Sequence, residues 1–376
     1  MSMDSNKKKK NILMLNYEFP PLGGGAGNAT YYLLKEFSKY PNLDIDLVTA
    51  SVNDYKVERF AENITVHFLD IHKNNRDLHY QNNRDLILYS FKAYWYSRKL
   101  RARKTYNLCH AFFGIPCGFV ALLLGLPYIV SLRGSDIPFY NNRFYWMDKL
   151  VFKKLSKKVW GKAVVVIANS EGLKELAKTT APDQEIAVIY NGVDFNEFYP
   201  ANNKVLNEKI KLISTGRLIE RKGYAYLIKA LEGNKKVELT LIGDGNLKGE
   251  LNDLAVECGV DVKIPGMVAH DEIPDYLRNA DVFVLPSLNE GMSNSVLEAM
   301  ACGLPIITTN TGGSKELING NGFVINKNSI LDLKKALDQY LYYKNLIKVH
   351  SGKSIKIAEG MSWGAIAKQY KQQYGE

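Results

Sequence analysis

The chain has 376 residues, of which 46% are hydrophobic and 23% charged, a globular balance that excludes a disordered, collagen-like or disulfide-scaffolded chain. Its 49 Lys and Arg exceed its 39 Asp and Glu, for a formal charge of +10, which leaves nucleic acid, membrane surfaces and small anions open as partners. The excess is uneven: residues 1–200 hold 27 basic and 19 acidic side chains, against 22 and 20 in residues 201–376.

Short apolar, β-branched runs alternate with helical stretches along the chain. After a polar, basic start from Met1 to Lys10, the apolar residues 12–15 are too few for a signal-peptide core. Asn11–Tyr17 reads as a strand, Leu22–Gly27 as a glycine loop and Asn28–Tyr40 as a helix. Strands are expected at Ile45–Thr49 and Ile64–Phe68, a long helix at Asp85–Lys104, and further strands at Leu108–Ala111, Tyr128–Leu132, Ala163–Ala168 and Ile186–Tyr190. Ala111 to Leu132 is apolar for about the length of a membrane span. Pro116 and Pro127 interrupt it, however, and a helix over 116–125 followed by a buried strand accounts for it better.

Pro200–Asn207 is polar and reads as a linker. Beyond it the pattern restarts, with strands at Ile210–Ser214, Val237–Ile242, Val260–Ile264, Val282–Leu285 and Pro305–Thr308, and helices near 223–232, 247–257, 271–279 and 294–301. Three helices, near 330–344, 347–359 and 362–374, close the chain. Such βαβ alternation predicts parallel sheets covered on both faces. The expected architecture is α/β: two doubly wound domains facing a cleft, with ligands outside the carboxyl ends of the strands.

The four cysteines, Cys109, Cys117, Cys258 and Cys302, lack metal-ligand or disulfide-framework spacing, and a reducing compartment is the simpler reading. His67, His72 and His79 share no ligand spacing, and His270 stands beside Asp271 at a helix start. Three other segments carry chemistry. Gly23–Gly27, ahead of a helix, either lets backbone approach a phosphate or is a flexible interdomain loop; its spacing is not the dinucleotide fingerprint. Arg217 with Arg221-Lys222-Gly223, at a strand's end, either grips a diphosphate or is a solvated basic loop. Glu290 and Glu298 bracket a loop and the first turn of a helix. Amides near Ser293–Val296 would face an anion there, and a carboxylate suits vicinal sugar hydroxyls; helix-dipole complementation is the alternative.

Gly216-Arg217…Lys222-Gly223, Gly243-Asp244-Gly245, Ala280–Ser287, Glu290-Gly291…Leu297–Pro305 and Thr311-Gly312-Gly313…Glu316 occur in this order. With Asn191-Gly192-Val193-Asp194, Asn169-Ser170 and the glycine loop, they resemble retaining GT-B glycosyltransferases of family 4 (glycosyl transferases group 1). The resemblance implies two Rossmann-like domains, an acceptor-binding one at 1–195 and a nucleotide-sugar-binding one at 196–360, with a helix at 361–376 crossing back to the first. It implies transfer of a sugar from a nucleoside diphosphate with retained anomeric configuration, with no metal or other cofactor and with a UDP-sugar expected over a GDP-sugar. Carried over position by position, Arg217 and Lys222 would hold the diphosphate, Glu298 the ribose hydroxyls and Glu290 the donor sugar's hydroxyls. Amides at Asn294, Ser295 and Val296 would meet the distal phosphate, backbone at Gly266, Met267 and Val268 would read the base, and Gly24 and Gly25 would close over the diphosphate.

The chain departs from the family at Arg133, where many relatives have a histidine ahead of Gly-x-Asp. A guanidinium can pair with a phosphate or an anionic sugar but cannot act as a base. Asp136 therefore becomes the side-chain candidate for acceptor contact or proton acceptance, capping of the following turn being its other reading. His110, at another strand end, is expected to point into the cleft.

Residues 141–163 interleave Arg143, Lys149, Lys153, Lys154, Lys157, Lys158 and Lys162 with Phe144, Tyr145, Trp146 and Leu150. On a helix Val151, Leu155 and Val159 form an apolar line, the pattern of a basic amphipathic helix at a membrane surface or of a core-packed helix with a solvated face. Arg84–Lys104 is a second such segment. No nucleic-acid motif appears. The expectation is a cytoplasmic enzyme, peripheral on an anionic membrane, that glycosylates a saccharide or glycolipid in bacterial-type surface-glycan synthesis. The alternatives are a soluble transferase with a small acceptor and a silent sugar-nucleotide-binding protein.

Overall fold

The computed structural model describes residues 9–73, 78, 81–140, 145–202, 204 and 208–375. Most of the basic start, His79, Arg143, Phe144 and much of the expected linker lie outside them. The chain forms two compact units, one of Met1–Tyr190 with Ile366–Glu376, the other of Asn191–Ala365.

The first unit has strands β1 (Lys10–Leu15), β2 (Leu43–Ser51), β3 (Lys56–Ala61), β4 (Ile64–Asp70), β5 (Leu108–Phe112), β6 (Tyr128–Leu132), β7 (Val165–Ala168) and β8 (Ile186–Val188). Its helices are α1 (Gly25–Phe37), α2 (Asn83–Arg101), α3 (Phe119–Leu124), α4 (Tyr145–Met147), α5 (Lys153–Lys162) and α6 (Glu171–Thr180). The sheet order is β3-β4-β2-β1-β5-β6-β7-β8, parallel except for the β3–β4 pair. β5 and β6 are buried along their whole length, as strands covered on both faces must be. From β1 the chain moves one way along the sheet to β2, and from β4 it moves the other way to β5, β6, β7 and β8. Right-handed crossovers therefore set α1 on one face and α2, α3, α5 and α6 on the other; accordingly α3 packs against α2 and α5.

The second unit has six parallel strands in the order β11-β10-β9-β12-β13-β14, namely β9 (Ile210–Thr215), β10 (Val237–Ile242), β11 (Val262–Gly266), β12 (Val282–Leu285), β13 (Ile306–Thr309) and β14 (Gly322–Ile325). Helices α7 (Tyr224–Ala230), α8 (Lys248–Glu257), α9 (Ile273–Asn279), α10 (Asn294–Ala301), α11 (Ser314–Leu317), α12 (Ile330–Tyr342) and α13 (Asn345–Glu359) accompany them. Leu212, Leu239, Leu241, Val282, Val284 and Ile307 form the sheet's share of the core, and Leu227, Leu231, Leu333 and Leu337 the helices' share. The last helix, α14 (Trp363–Gln373), begins in this unit, and from Ile366 on it belongs to the first, so the expected return of the C-terminal helix occurs.

The apolar run Ala111–Leu132 resolves into the end of β5, a π-helical turn at Gly114–Gly118, α3 and β6. Among the described residues no helix is long and apolar enough to cross a membrane.

Candidate active site

In the second unit β9 and β12 are neighbours whose outgoing connections diverge, β9 leading to β10 and β12 to β13. Their carboxyl ends thus form a topological switch point, where doubly wound sheets open a crevice. Two loops flank it. The first runs from Gly216 through a 3-10 turn, Glu220–Lys222, to Gly223. The second runs from Pro286 to Ser293, the residue ahead of α10. Gly223 joins them: its φ is +69°, and a Cβ there would stand 2.2 Å from the Pro286 carbonyl oxygen. Only glycine lets the loops meet this closely.

That approach brings Lys222 Nζ to 2.7 Å from Glu290 Oε1, with both side chains almost fully buried. Burial pushes the Glu290 carboxyl up, but the charges of Lys222 and Arg221 more than offset it and hold the group below the usual carboxylate range. Arg217, five residues earlier, is exposed. Glu290, Ser293, Val296, Thr311, Gly313 and Ser314 line a hollow beside this pair.

The start of α10 forms one wall of that hollow. Ser293 makes no side-chain cap bond to the helix; its hydroxyl instead meets that of Ser295 at 2.9 Å. Asn294 accepts from Asn191 Nδ2 at 2.7 Å, which ties the Asn191-Gly192 segment to the helix start. Val296 is buried and anchors the first turn. Glu298, one turn in, is half-buried. Burial first, and the Glu197 charge second, push its carboxyl up to about 7. The two carboxylates of the segment thus differ: Glu290 is a fixed anion, whereas Glu298 changes charge near neutral pH.

Gly266 ends β11 at the sheet's edge, and Met267 and Val268 follow it, with Met267 exposed. Gly266 is tied to the neighbouring loop, its carbonyl accepting from Gly243 N at 2.9 Å.

In the first unit the corresponding switch point lies between β1 and β5. Gly24 is the N-cap of α1 and Gly25 its first residue. The Glu18 carboxylate accepts from Gly24 N at 3.1 Å, so a side chain from β1's own exit loop holds the glycine turn. Glu18 is not among the residues expected from the sequence; its position between β1 and a Pro-Pro pair was the available signal.

Asp136 is buried, and its oxygens accept from Gly114 N at 2.6 Å and from Arg133 N and Gly134 N at 2.9 Å each. Burial pushes this carboxyl up against the pull of those donors. With three backbone amides on it, Asp136 braces the loops after β5 and β6. These donors all precede Asp136 in the chain, so none of the three bonds caps the following turn. Arg133 is half-buried, its guanidinium 5.0 Å from the Phe112 ring centroid and 3.4 Å from the Tyr370 hydroxyl.

His110 departs from expectation. It is fully buried and does not open on a cleft. Nδ1 meets the Tyr374 hydroxyl at 2.7 Å and Nε2 the Ser131 hydroxyl at 2.8 Å. Burial, with Arg133's charge added, pulls its pKa down to about 3. A neutral ring with both nitrogens occupied anchors the tail beyond Ile366 to β5, and the tyrosines that do this lie more than 230 residues away in sequence, beyond any local signal.

Residues 23–197 match the family model described as Glycosyltransferase Family 4, and residues 195–348 the one described as Glycosyl transferases group 1. The chain belongs to this family of glycosyltransferases and has the two-domain GT-B fold. It is 30% identical over 261 residues to the putative teichuronic acid biosynthesis glycosyltransferase TuaC of Bacillus subtilis, which covers 65% of this chain and 64% of that relative. It is 29% identical over 269 residues to the UDP-Gal:alpha-D-GlcNAc-diphosphoundecaprenol alpha-1,3-galactosyltransferase of Escherichia coli, covering 64% of this chain and 67% of the relative. Each of these alignments thus spans about two thirds of the relative's length. The sucrose-phosphate synthase of Thermosynechococcus elongatus superposes with a TM-score of 0.84 at 19% identity, covering 98% of both chains.

Proposed function

We propose that this chain is a retaining glycosyltransferase that moves a hexosyl or N-acetylhexosaminyl group from a UDP-sugar to a hydroxyl of a lipid-linked saccharide. It would act in surface-glycan synthesis at the cytoplasmic face of a membrane, without a metal. The observation that carries this reading is the buried Lys222–Glu290 pair at the β9/β12 switch point, beside the start of α10. A donor diphosphate needs fixed cations, which Lys222 and Arg217 supply, and amides at a helix N-terminus, which Asn294, Ser295 and Val296 supply. Glu298 accepts from the ribose hydroxyls and Glu290 from those of the sugar. Gly266, Met267 and Val268 offer backbone to the base, and Gly24 and Gly25 offer it to the diphosphate. The E. coli relative's name supplies both a UDP donor and a diphosphoundecaprenol-linked acceptor, and TuaC's supplies teichuronic acid biosynthesis.

In the transfer, the bond from the anomeric carbon to the diphosphate oxygen breaks and one to the acceptor oxygen forms on the same face. The acceptor's proton passes to the departing diphosphate. The protein's part is to stabilise the growing charge on that leaving group with preorganised donors, and Arg133 adds a permanent cation. A thermal-shift panel of UDP, GDP and their sugars tests the reading, since a ligand held by the native state raises its melting temperature. UDP and one UDP-sugar are expected to stabilise; no shift with any nucleoside diphosphate would overturn it.

A further inference from the structure

The helical layer of α2, α3 and Tyr145–Lys162 carries large apolar side chains on its outer side. In α2 the residues turned inward are Asp85, Tyr89, Ala93 and Ser97. The outward stripe, at the same spacing of four, is Ile87, Phe91 and Trp95, exposed by 71%, 64% and 48%. An ordinary surface helix has the opposite arrangement, with its apolar stripe on the core. The start of the neighbouring segment repeats the inversion, with Asp148 buried and Trp146 and Leu150 69% and 65% exposed, while further on α5 turns Val159 and Trp160 inward. Leu123 of α3, which packs against both helices, is exposed as well.

The charge on this face has one sign. Arg98, Lys99, Arg101, Arg103, Lys154, Lys157, Lys158 and Lys162 are exposed. The sole acids within residues 83–104 and 145–162 are Asp85 and Asp148, and both are buried. Both segments start on the side where the strands' carboxyl ends lie and run back toward the amino ends. Ile87, Trp146 and Leu150 therefore sit toward the end of the unit that holds Gly24, Arg133 and Asp136, with Arg84 and Lys149 beside them, Phe91 midway along α2 and the other cations further back.

We propose that this face docks on an anionic lipid bilayer, with the apolar side chains entering the boundary between headgroups and acyl chains and the cations meeting the headgroups. The proposal rests on the reading above of a lipid-linked acceptor, and it names the surface and the residues that enter the lipid. A second copy of the chain is a poor occupant, because the exposed cations of α2 and α5 would then oppose one another, with exposed carboxylates of this layer only on α6, at Glu171 and Glu175.

Vesicles of phosphatidylcholine, with and without phosphatidylglycerol, test the proposal by co-sedimentation with the full chain and without UDP, so that the outcome is separate from that of donor binding. The wild type is expected to bind the anionic vesicles alone, with loss of binding at high salt and a blue shift of tryptophan emission, because Trp95 and Trp146 are exposed while Trp160 and Trp363 are buried. The variant Ile87→Ser/Phe91→Ser/Trp95→Ser is expected to bind at least ~10-fold more weakly, with UDP affinity by calorimetry unchanged. Equal vesicle binding by the triple variant, or no binding of anionic vesicles by a wild type that binds UDP, would overturn the proposal. So would a wild-type dimer that the triple variant dissolves, if neither protein binds vesicles.

Discussion

Lys222 Nζ stands 2.7 Å from Glu290 Oε1, with each side chain little more than a tenth exposed. A pair so enclosed is sensitive to loss of one member, because the other is left as a buried, uncompensated charge. Lys222→Met is therefore expected to lower stability by about 3–5 kcal/mol, read by urea denaturation. Lys222→Met/Glu290→Gln is expected to recover much of that loss, and an equally unstable double variant would show that the pair is not coupled.

The same lysine serves the donor reading. Arg217→Ala with Lys222→Ala removes two cations, each worth ~1.5–3 kcal/mol in a charge-assisted bond. UDP affinity is expected to fall by at least ~100-fold. Calorimetry that finds the double variant binding UDP normally would move the diphosphate cradle elsewhere.

Glu298 ties donor binding to pH. Its carboxyl is pushed up to about 7, and the charged form is the one that accepts from ribose hydroxyls. UDP affinity is thus expected to rise between pH 6 and pH 8, and Glu298→Gln to flatten that rise. Stability of the ligand-free protein runs the other way. In the window from the unfolded carboxylate's value of about 4.3 up to about 7, the folded state holds a proton that the unfolded chain has lost. Stability therefore falls as pH rises through this window, and Glu298→Gln is expected to remove that fall in thermal melts.

His110 has the opposite sign. Its pKa is pulled down to about 3, so at mildly acidic pH the unfolded chain binds a proton that the folded protein excludes. Stability is then lost as pH drops from about 6.5 toward 3. His110→Gln is expected to weaken this acid sensitivity without changing kcat at pH 7.5. A large fall in kcat with unaltered stability would restore a catalytic part for this ring.

Asp136→Asn tests the brace. The amide nitrogen would face either Gly114 N or the Arg133 and Gly134 amides, leaving a buried donor unsatisfied at a cost of about 1–3 kcal/mol. A matching drop in thermal stability is expected, and an unaltered melt would return Asp136 to acceptor-facing chemistry.

Most of the parallel strands were readable because they hold short apolar runs: the expected Ile210–Ser214 and Val282–Leu285 recur as β9 and β12, whereas the short edge strand β14, parallel to β13, was not expected. β3 was not, because its Lys56–Ala61 segment is exposed at an edge and has no apolar face. Helix α1 begins at Gly25 rather than Asn28, since glycines that look like loop can supply a first turn. The line through Val151, Leu155 and Val159 fails at its first member, which is exposed while Val159 is buried. A π-helical stretch at Asp148–Phe152 shifts the register there, and a constant 3.6-residue period cannot anticipate it. The outward stripe of α2 was hidden for another reason: periodicity reports an apolar face but not which way it points. The pairing of Lys222 with Glu290 depends on how two distant loops approach one another at Gly223, a matter of tertiary geometry that neither loop's composition contains.

The loops leaving β9 and β10 are laced together. Gly216 N donates to the Ile242 carbonyl, Leu218 N to that of Asp244, and Leu247 N to that of Leu218, at 2.9–3.0 Å. A Cβ on Gly243 would lie 2.0 Å from the Gly216 carbonyl oxygen. Neither loop can lengthen without pulling the other out of step, so this corner of the domain is closed to insertions. At the opposite end of β10, the turn at Gly233–Asn234 is held to the neighbouring turn more sparsely, Gly233 N donating to the Cys258 carbonyl at 3.1 Å, and a Cβ on Gly233 would meet nothing within 4 Å. A single inserted residue after Gly243 is expected to unfold the domain, while the same insertion after Gly233 leaves it folded. Variation in length among related chains should accumulate at that far rim, leaving the spacings from Gly216 to Leu218 and from Gly243 to Leu247 constant.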